Sequence, residues 1–109
     1  MARSDALLGA LPLLVLTILA RRGAMHGYAI TTCIETFSSE VLRVEEGSLY
    51  PALHRLEEAR LVKARWVVTP NNRRARVYEV TPAGRRHLEI VEERWRTVTL
   101  AVGQVLERI

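Results

Sequence analysis

The amino-acid sequence predicts a mainly α-helical chain that carries a small β-hairpin and ends in one long helix. Three observations predict it. Before residue 60, three segments carry helical signals, set off by glycines, prolines and serines. Two strand-like runs, Val62–Thr69 and Arg74–Thr81, then flank the turn formers Pro70-Asn71-Asn72-Arg73. Beyond Pro82, the residues Leu88, Val91, Trp95, Val98, Val102, Val105 and Ile109 recur at spacings of 3, 4, 3, 4, 3 and 4, the a/d pattern of a heptad.

The run Leu7–Ala20 is the most apolar stretch. At 14 residues it is shorter than the roughly 20 that span a bilayer. Pro12 interrupts it, and Arg21-Arg22 close it without a small-residue cleavage site. A helix buried on every side accounts for it. The helix is expected to start near Pro12, where a first-turn proline costs no hydrogen bond, and to stop at Gly23. Residues 5–11 are expected to form a short extra turn or an arm. A second helix is expected from His26 or Gly27 to about Ser38, with Tyr28, Ile30, Ile34 and Phe37 on its apolar side. A third fits Ser48 to about Ala59. There Leu49, Leu53 and Leu56 share a face, Ser48 is placed to cap the N-terminus, and Pro51 then falls in the first turn. The strand-like runs carry Val62, Ala64, Trp66 and Val68 at period two, and Val77, Tyr78 and Val80. Thr81-Pro82 supplies a cap and a first-turn proline for the last helix. Run to Ile109, that helix is roughly 42 Å long at about 1.5 Å per residue.

The 109 residues, 49% hydrophobic and 26% charged, suit one globular domain with a modest core. The net charge is +4 and Lys63 is the only lysine. The distribution says more. Arg60, Lys63, Arg65, Arg73, Arg74, Arg76, Arg85 and Arg86 crowd one window whose only acid is Glu79. Such an excess is a footprint for a polyanion; a solvated charged surface is the plainer alternative. The single Cys33 forms no intramolecular disulfide and no cysteine-based zinc site, so a reducing cytoplasm is expected. Cys33 itself is read as a small core residue rather than a redox sensor. His26, His54 and His87 lack metal-ligand spacing. His26 is expected to order the start of the second helix. Glu45 and Glu46 have no nucleophile beside them and suit the positive end of a helix. No catalytic constellation or phosphate loop stands out, so neither an enzyme nor a cofactor is expected.

The order helix, helix, helix, hairpin, helix is that of a winged helix-turn-helix. Opposite its leucine face, the third helix presents Ser48, Tyr50, Pro51, His54 and Arg55, groups suited to base edges in a major groove. The hairpin offers Asn72, Arg73, Arg74 and Arg76 to phosphates or an adjacent minor groove. Residues 1–81 are therefore read as a DNA-binding domain and 82–109 as a dimerisation helix. The seam Leu88, Val91, Trp95, Val98, Val102 and Val105 outruns what so small a domain can cover. It asks for the same helix of a second copy, with partial packing on the chain's own first helix.

The segments His26-Gly27-Tyr28, Glu45 through Glu57 (EEGSLYPALHRLE), Asn71-Asn72-Arg73-Arg74-Ala75-Arg76 and Tyr78-Glu79-Val80-Thr81-Pro82-Ala83-Gly84-Arg85 closely resemble the PadR family, named after a repressor of phenolic acid decarboxylase. The resemblance runs from about Leu7 to Arg96. It implies a homodimeric winged-helix repressor that binds an inverted repeat with half-sites of the ATGT and ACAT kind. It implies DNA reading by Ser48, Tyr50, Pro51, His54 and Arg55, and wing contact by Asn72, Arg73, Arg74 and Arg76. The end at Ile109 matches the short branch with a single C-terminal helix. Some short members bind flat aromatic compounds between paired tryptophans of that helix. Trp95 is therefore either an effector platform or filler of the dimer core. The alternative reading of the whole is a ligand-sensing or protein–protein adaptor module without specific DNA binding, against which Arg73, Arg74 and Arg76 argue.

Overall fold

A computed structural model describes the backbone of residues 5–109 and the side chains from residue 9 onward. The elements are α1 (Asp5–Arg22), β1 (Met25–His26), α2 (Gly27–Phe37), α3 (Glu46–Glu58), β2 (Val62–Val68), β3 (Arg74–Val80) and α4 (Pro82–Arg108). The strands form one antiparallel sheet in the order β1-β3-β2.

Helix α1 lies at the centre. It packs against α2, α3, β3 and α4, and Leu11, Val15, Leu16, Ile18 and Leu19 are buried. The helix is not buried on every side: Leu13, Leu14 and Ala20 pack against the core but stay half-buried; Leu7 and Leu8, which open that run, have side chains outside the described set. The helix begins at Asp5, not near Pro12, and residues 5–11 continue it instead of forming an arm. Pro12 costs one backbone hydrogen bond, but buried Leu11 and Val15 hold the helix on the core from both sides of it.

His26 caps α2, its Nδ1 accepting the Ala29 N–H at 3.2 Å. Of the four residues expected on the apolar side, Ile30 and Ile34 are buried whereas Tyr28 and Phe37 are exposed. Residues two apart lie on opposite sides of a helix, so Tyr28 turns away when Ile30 turns in. The exposed Phe37 ring instead takes the Arg22 guanidinium, 4.6 Å from its centroid.

Helix α3 starts two residues before the expected point. Glu45, in extended geometry, is the cap position, and Ser48 is already helical, its N–H donating to the Glu45 carbonyl at 3.0 Å. Ser48 is therefore not the cap, and Pro51 falls in the second turn. The missing proline N–H leaves the Gly47 carbonyl, at an exposed residue, for water. Acidic Glu45 and Glu46 suit the positive end of the helix, which favours the earlier start.

The hairpin pairs Val62 with Val80, Ala64 with Tyr78, Trp66 with Arg76 and Val68 with Arg74. Its turn is tied by Thr69, whose N–H donates to the Arg73 carbonyl at 2.7 Å and whose hydroxyl accepts the Arg73 N–H at 3.1 Å. Asn72 takes a left-handed conformation, φ 61°, which asparagine tolerates. Val62, Tyr78 and Val80 are buried, but Trp66 and Val68 are exposed; the period-two face runs past the end of the core. The two-residue β1, pairing Met25 with Tyr78 and His26 with Val77, is too short for alternation to reveal and was not expected.

Thr81 joins the sheet to α4. Its hydroxyl accepts the Gly84 N–H at 3.0 Å and donates to the Arg60 carbonyl at 2.8 Å, while its N–H donates to the Leu61 carbonyl at 3.0 Å. Gly84 then passes so close to the Leu61 carbonyl that a Cβ would clash with it. Along α4, Leu88 is buried, Val91 and Trp95 are half-buried, and Val98, Val102, Val105 and Ile109 are exposed. Arg21 of α1 reaches Glu92 of α4 at 3.0 Å, and Arg96 joins the same carboxylate at 2.7 Å. No helix among the described residues is long and apolar enough to cross a membrane.

The Arg96 hydrogen bond, more than the Arg21 charge, holds the Glu92 carboxyl below the usual glutamate range. A depressed folded-state pKa stabilises the fold above the unfolded pKa, and that stabilisation is lost as pH falls through the folded value. Glu92→Gln is thus expected to melt below wild type at neutral pH. The gap should close as the pH is lowered through and beneath the glutamate range, which thermal melts across a pH series check.

Candidate nucleic-acid interface

Helix α3 turns Leu49, Ala52, Leu53 and Leu56 into the core. Tyr50, Pro51, His54 and Arg55 are therefore left on the exposed side, with Ser48 half-buried at its margin. His54 Nε2 lies 3.4 Å from the Glu58 carboxylate, one turn on. Tyr50 is held differently. Its phenol rests against Gly27 at the start of α2, so closely that a Cβ on Gly27 would come within 2.7 Å of the hydroxyl. Gly27 and Tyr50 belong to two separate sequence segments that meet at this contact.

The wing stands beside α3. Arg76 Nη2 donates to Glu57 Oε2 at 2.7 Å, linking β3 to α3. Arg74 and Arg76 lie over the Trp66 ring at 4.7 and 5.8 Å from its centroid. Asn72 and Arg73 form the exposed tip. Lys63 pairs loosely with Glu79 at 3.7 Å on the other face of the hairpin. Among the described residues, neither Arg73 nor Arg74 meets a carboxylate. Behind this surface lies Tyr78; burial raises its phenol pKa, partly opposed by the nearby Arg76 guanidinium, so the ring stays neutral at ordinary pH.

The structure joins α3 to the wing at the Glu57–Arg76 pair; the expected α3 residues are exposed apart from half-buried Ser48, and the expected wing residues are exposed. Trp95 and the α4 seam belong to a different surface. Three features were not foreseen. Glu57 is an acid within the basic region, Trp66 is a surface ring rather than a core residue, and Gly27 seats Tyr50. The Glu57–Arg76 contact spans 19 residues, and a single sequence carries no signal for it. Trp66 had one: it lies opposite Arg76 in any hairpin that turns at 69–73. Cys33 is half-buried, with its Sγ 3.9 Å from Met25 Sδ. No group of three metal-capable His, Cys, Asp or Glu side chains occurs among the described residues.

Residues 15–90 match the model of the transcriptional regulator PadR-like family. The chain belongs to that family. A PadR family transcriptional regulator from Eggerthella lenta is 31% identical, with a TM-score of 0.78 over 93% of this chain and 85% of that one. A transcriptional regulator from Clostridium thermocellum is 25% identical, with a TM-score of 0.83 over 95% of this chain and 97% of that one. An uncharacterised 37.1 kDa protein of a Streptomyces fradiae transposon is 40% identical over 87% of this chain, which spans 25% of that relative's length. PadR-like membership makes this chain a transcriptional regulator of a DNA-binding family.

The two PadR-like motif segments that meet at Gly27 and Tyr50 make a separable contact. In Gly27→Ala the new methyl meets the free end of a rotatable side chain, not backbone. The variant is expected to melt within about 4 °C of wild type while the Tyr50 ring resonances shift. Thermal melting and NMR of the ring protons check both halves.

Proposed function

We propose that this chain is a homodimeric repressor that reads an inverted-repeat operator with α3 and steadies itself on the duplex with the basic wing. The observation that carries this reading is the shared face. Tyr50, Pro51, His54 and Arg55 sit on the exposed side of α3, and the Glu57–Arg76 pair fixes the wing arginines beside them. A helix of this width enters a major groove, with Tyr50, His54 and Arg55 offering donors and acceptors to base edges. Asn72, Arg73 and Arg74 at the wing meet phosphates, which supply affinity without sequence information.

The exposed half of the α4 seam supports the dimer. Val98, Val102 and Val105 are each more than half exposed, and an apolar stripe of that kind is covered in a stable protein. A second copy of α4 covers it with matching a/d residues. Two reading heads related by a twofold axis then face half-sites about one helical turn apart, roughly 34–36 Å.

The experiment is a fluorescence-anisotropy titration with duplex from upstream of the protein's own gene and with a scrambled duplex, at two salt concentrations. Specific repression requires tight binding to the upstream duplex that weakens steeply with salt through counterion release. Tyr50→Ala or His54→Ala should lower the ratio of specific to scrambled affinity. Arg74→Ala should weaken both duplexes alike and shallow the salt slope by about one unit. Identical behaviour of the two classes would refute the division of labour.

Val102→Glu places a charge in the seam without touching the core. Sedimentation should give a dimer for wild type and a monomer for the variant. A dimer that survives the substitution would move the interface off the seam.

A further inference from the structure

We propose that Trp66 is itself a DNA-contacting residue, a flat apolar plate on the inner face of the wing that lies against the sugar–phosphate backbone and positions the Arg74 guanidinium lying over it. The inference rests on the DNA-binding reading and adds a residue to it.

Trp66 is 57% exposed, yet it stands on the same hairpin face as buried Val62 and Tyr78. That face looks toward α3, because Arg76, directly opposite Trp66, reaches Glu57 there. The indole therefore borders the space between the recognition helix and the wing tip. Two guanidiniums lie over it, Arg74 at 4.7 Å and Arg76 at 5.8 Å. A guanidinium lying over a ring uses its face and keeps its in-plane N–H groups for an anion; Arg76 commits one of its N–H groups to Glu57, whereas Arg74 meets no carboxylate among the described residues. The stack also limits rotamers before any ligand arrives, so less freedom is lost on contact. The hairpin that carries the plate is itself braced by the Thr69 bonds to Arg73.

The chemistry that fits is apolar surface alternating with phosphate at short range. Deoxyribose between phosphates provides that: the indole packs on sugar while Arg74 takes the neighbouring phosphate. Glu57 is the positioning residue. It holds Arg76, and through it the wing, at one angle to α3.

The test uses the full chain and a labelled duplex of random sequence at low salt, since a backbone contact needs no operator. Anisotropy follows binding and intrinsic tryptophan emission follows the ring. Wild-type emission should change in step with the bound fraction. Trp66→Phe should still bind, and its remaining tryptophan, Trp95, should leave the emission flat. Trp66→Ala should bind random and specific duplexes alike roughly fivefold more weakly, the scale of one exposed cation–π contact. Glu57→Gln removes a negative charge, which alone would tighten both duplexes equally; a positioning role instead lowers the specific-to-random ratio. If anisotropy reports binding but wild type and Trp66→Phe show the same emission change, or Trp66→Ala binds like wild type, the contact is refuted and the DNA-binding reading stands. If anisotropy reports no binding to either duplex, both fall.

Discussion

The structure is organised by the need to surround α1. A helix this rich in leucine, isoleucine and valine is stable only where other elements cover it, and α2, α3, β3 and α4 bury its Leu11, Val15, Leu16, Ile18 and Leu19 while Leu13 and Leu14 stay half-buried. Each covering element gives one apolar face to that task and has one face left. For α3, the leucines point inward and Tyr50, Pro51, His54 and Arg55 must point out. For α4, the coverage ends part-way: Glu92 meets Arg21 of α1, and from Val98 onward the seam is exposed. The free surfaces of the molecule are what the burial of one helix leaves over.

Two glycines set how closely the covering elements approach. At Gly84, the first turn of α4 closes on the Leu61 carbonyl, and Thr81 binds the same corner through its N–H and hydroxyl. Backbone cannot give way there, so any side chain would force the helix off the corner. At Gly27 the neighbour is the Tyr50 phenol, which can rotate. The first contact sets where α4 leaves the domain; the second sets the pose of one side chain on α3. Both glycines lie in segments that resemble the family, and the structure supplies a separate physical reason for each.

Much of this was legible in the sequence, because it depends on local patterns. The Thr81-Pro82 cap, the His26 cap, the leucine face of α3 and the turn at 69–73 all follow from short-range chemistry. The misjudged points depend on partners. Ser48 looked like a cap because serine oxygens usually accept helix N–H groups; Glu45 took that position with its backbone, and the acidic pair that suits a helix start was the weaker signal beside a serine. Pro12 looked like a helix start because interior prolines are costly, yet buried Leu11 carries the helix through it. Tyr28 was placed inside although it lies two residues from Ile30, a spacing that contradicts a shared face. β1 exists only because β3 is beside it. Of the candidate site, the exposed residues of α3 followed from the periodicity of the buried ones, and the pairing of Trp66 with Arg76 was already set by the turn at 69–73, whereas Glu57 required the register of the hairpin against the helix.

The acid within the basic face separates two effects that a charge count merges. Beyond the Debye length, about 8 Å at physiological ionic strength, Glu57 and Arg76 act as a neutral pair. The field there comes from the remaining arginines of residues 60–86, which set how strongly a polyanion is drawn in. At contact distance the pair is no longer neutral in effect. A guanidinium bonded at 2.7 Å and lying over an indole has few orientations left, and the strand that carries it is tied to α3. Giving up one positive charge at long range thus leaves attraction largely intact while fixing geometry at short range. In the proposed reading that trade favours specificity, because attraction to phosphates is the same for every sequence, whereas a fixed angle between helix and wing lets only a duplex of matching shape meet both.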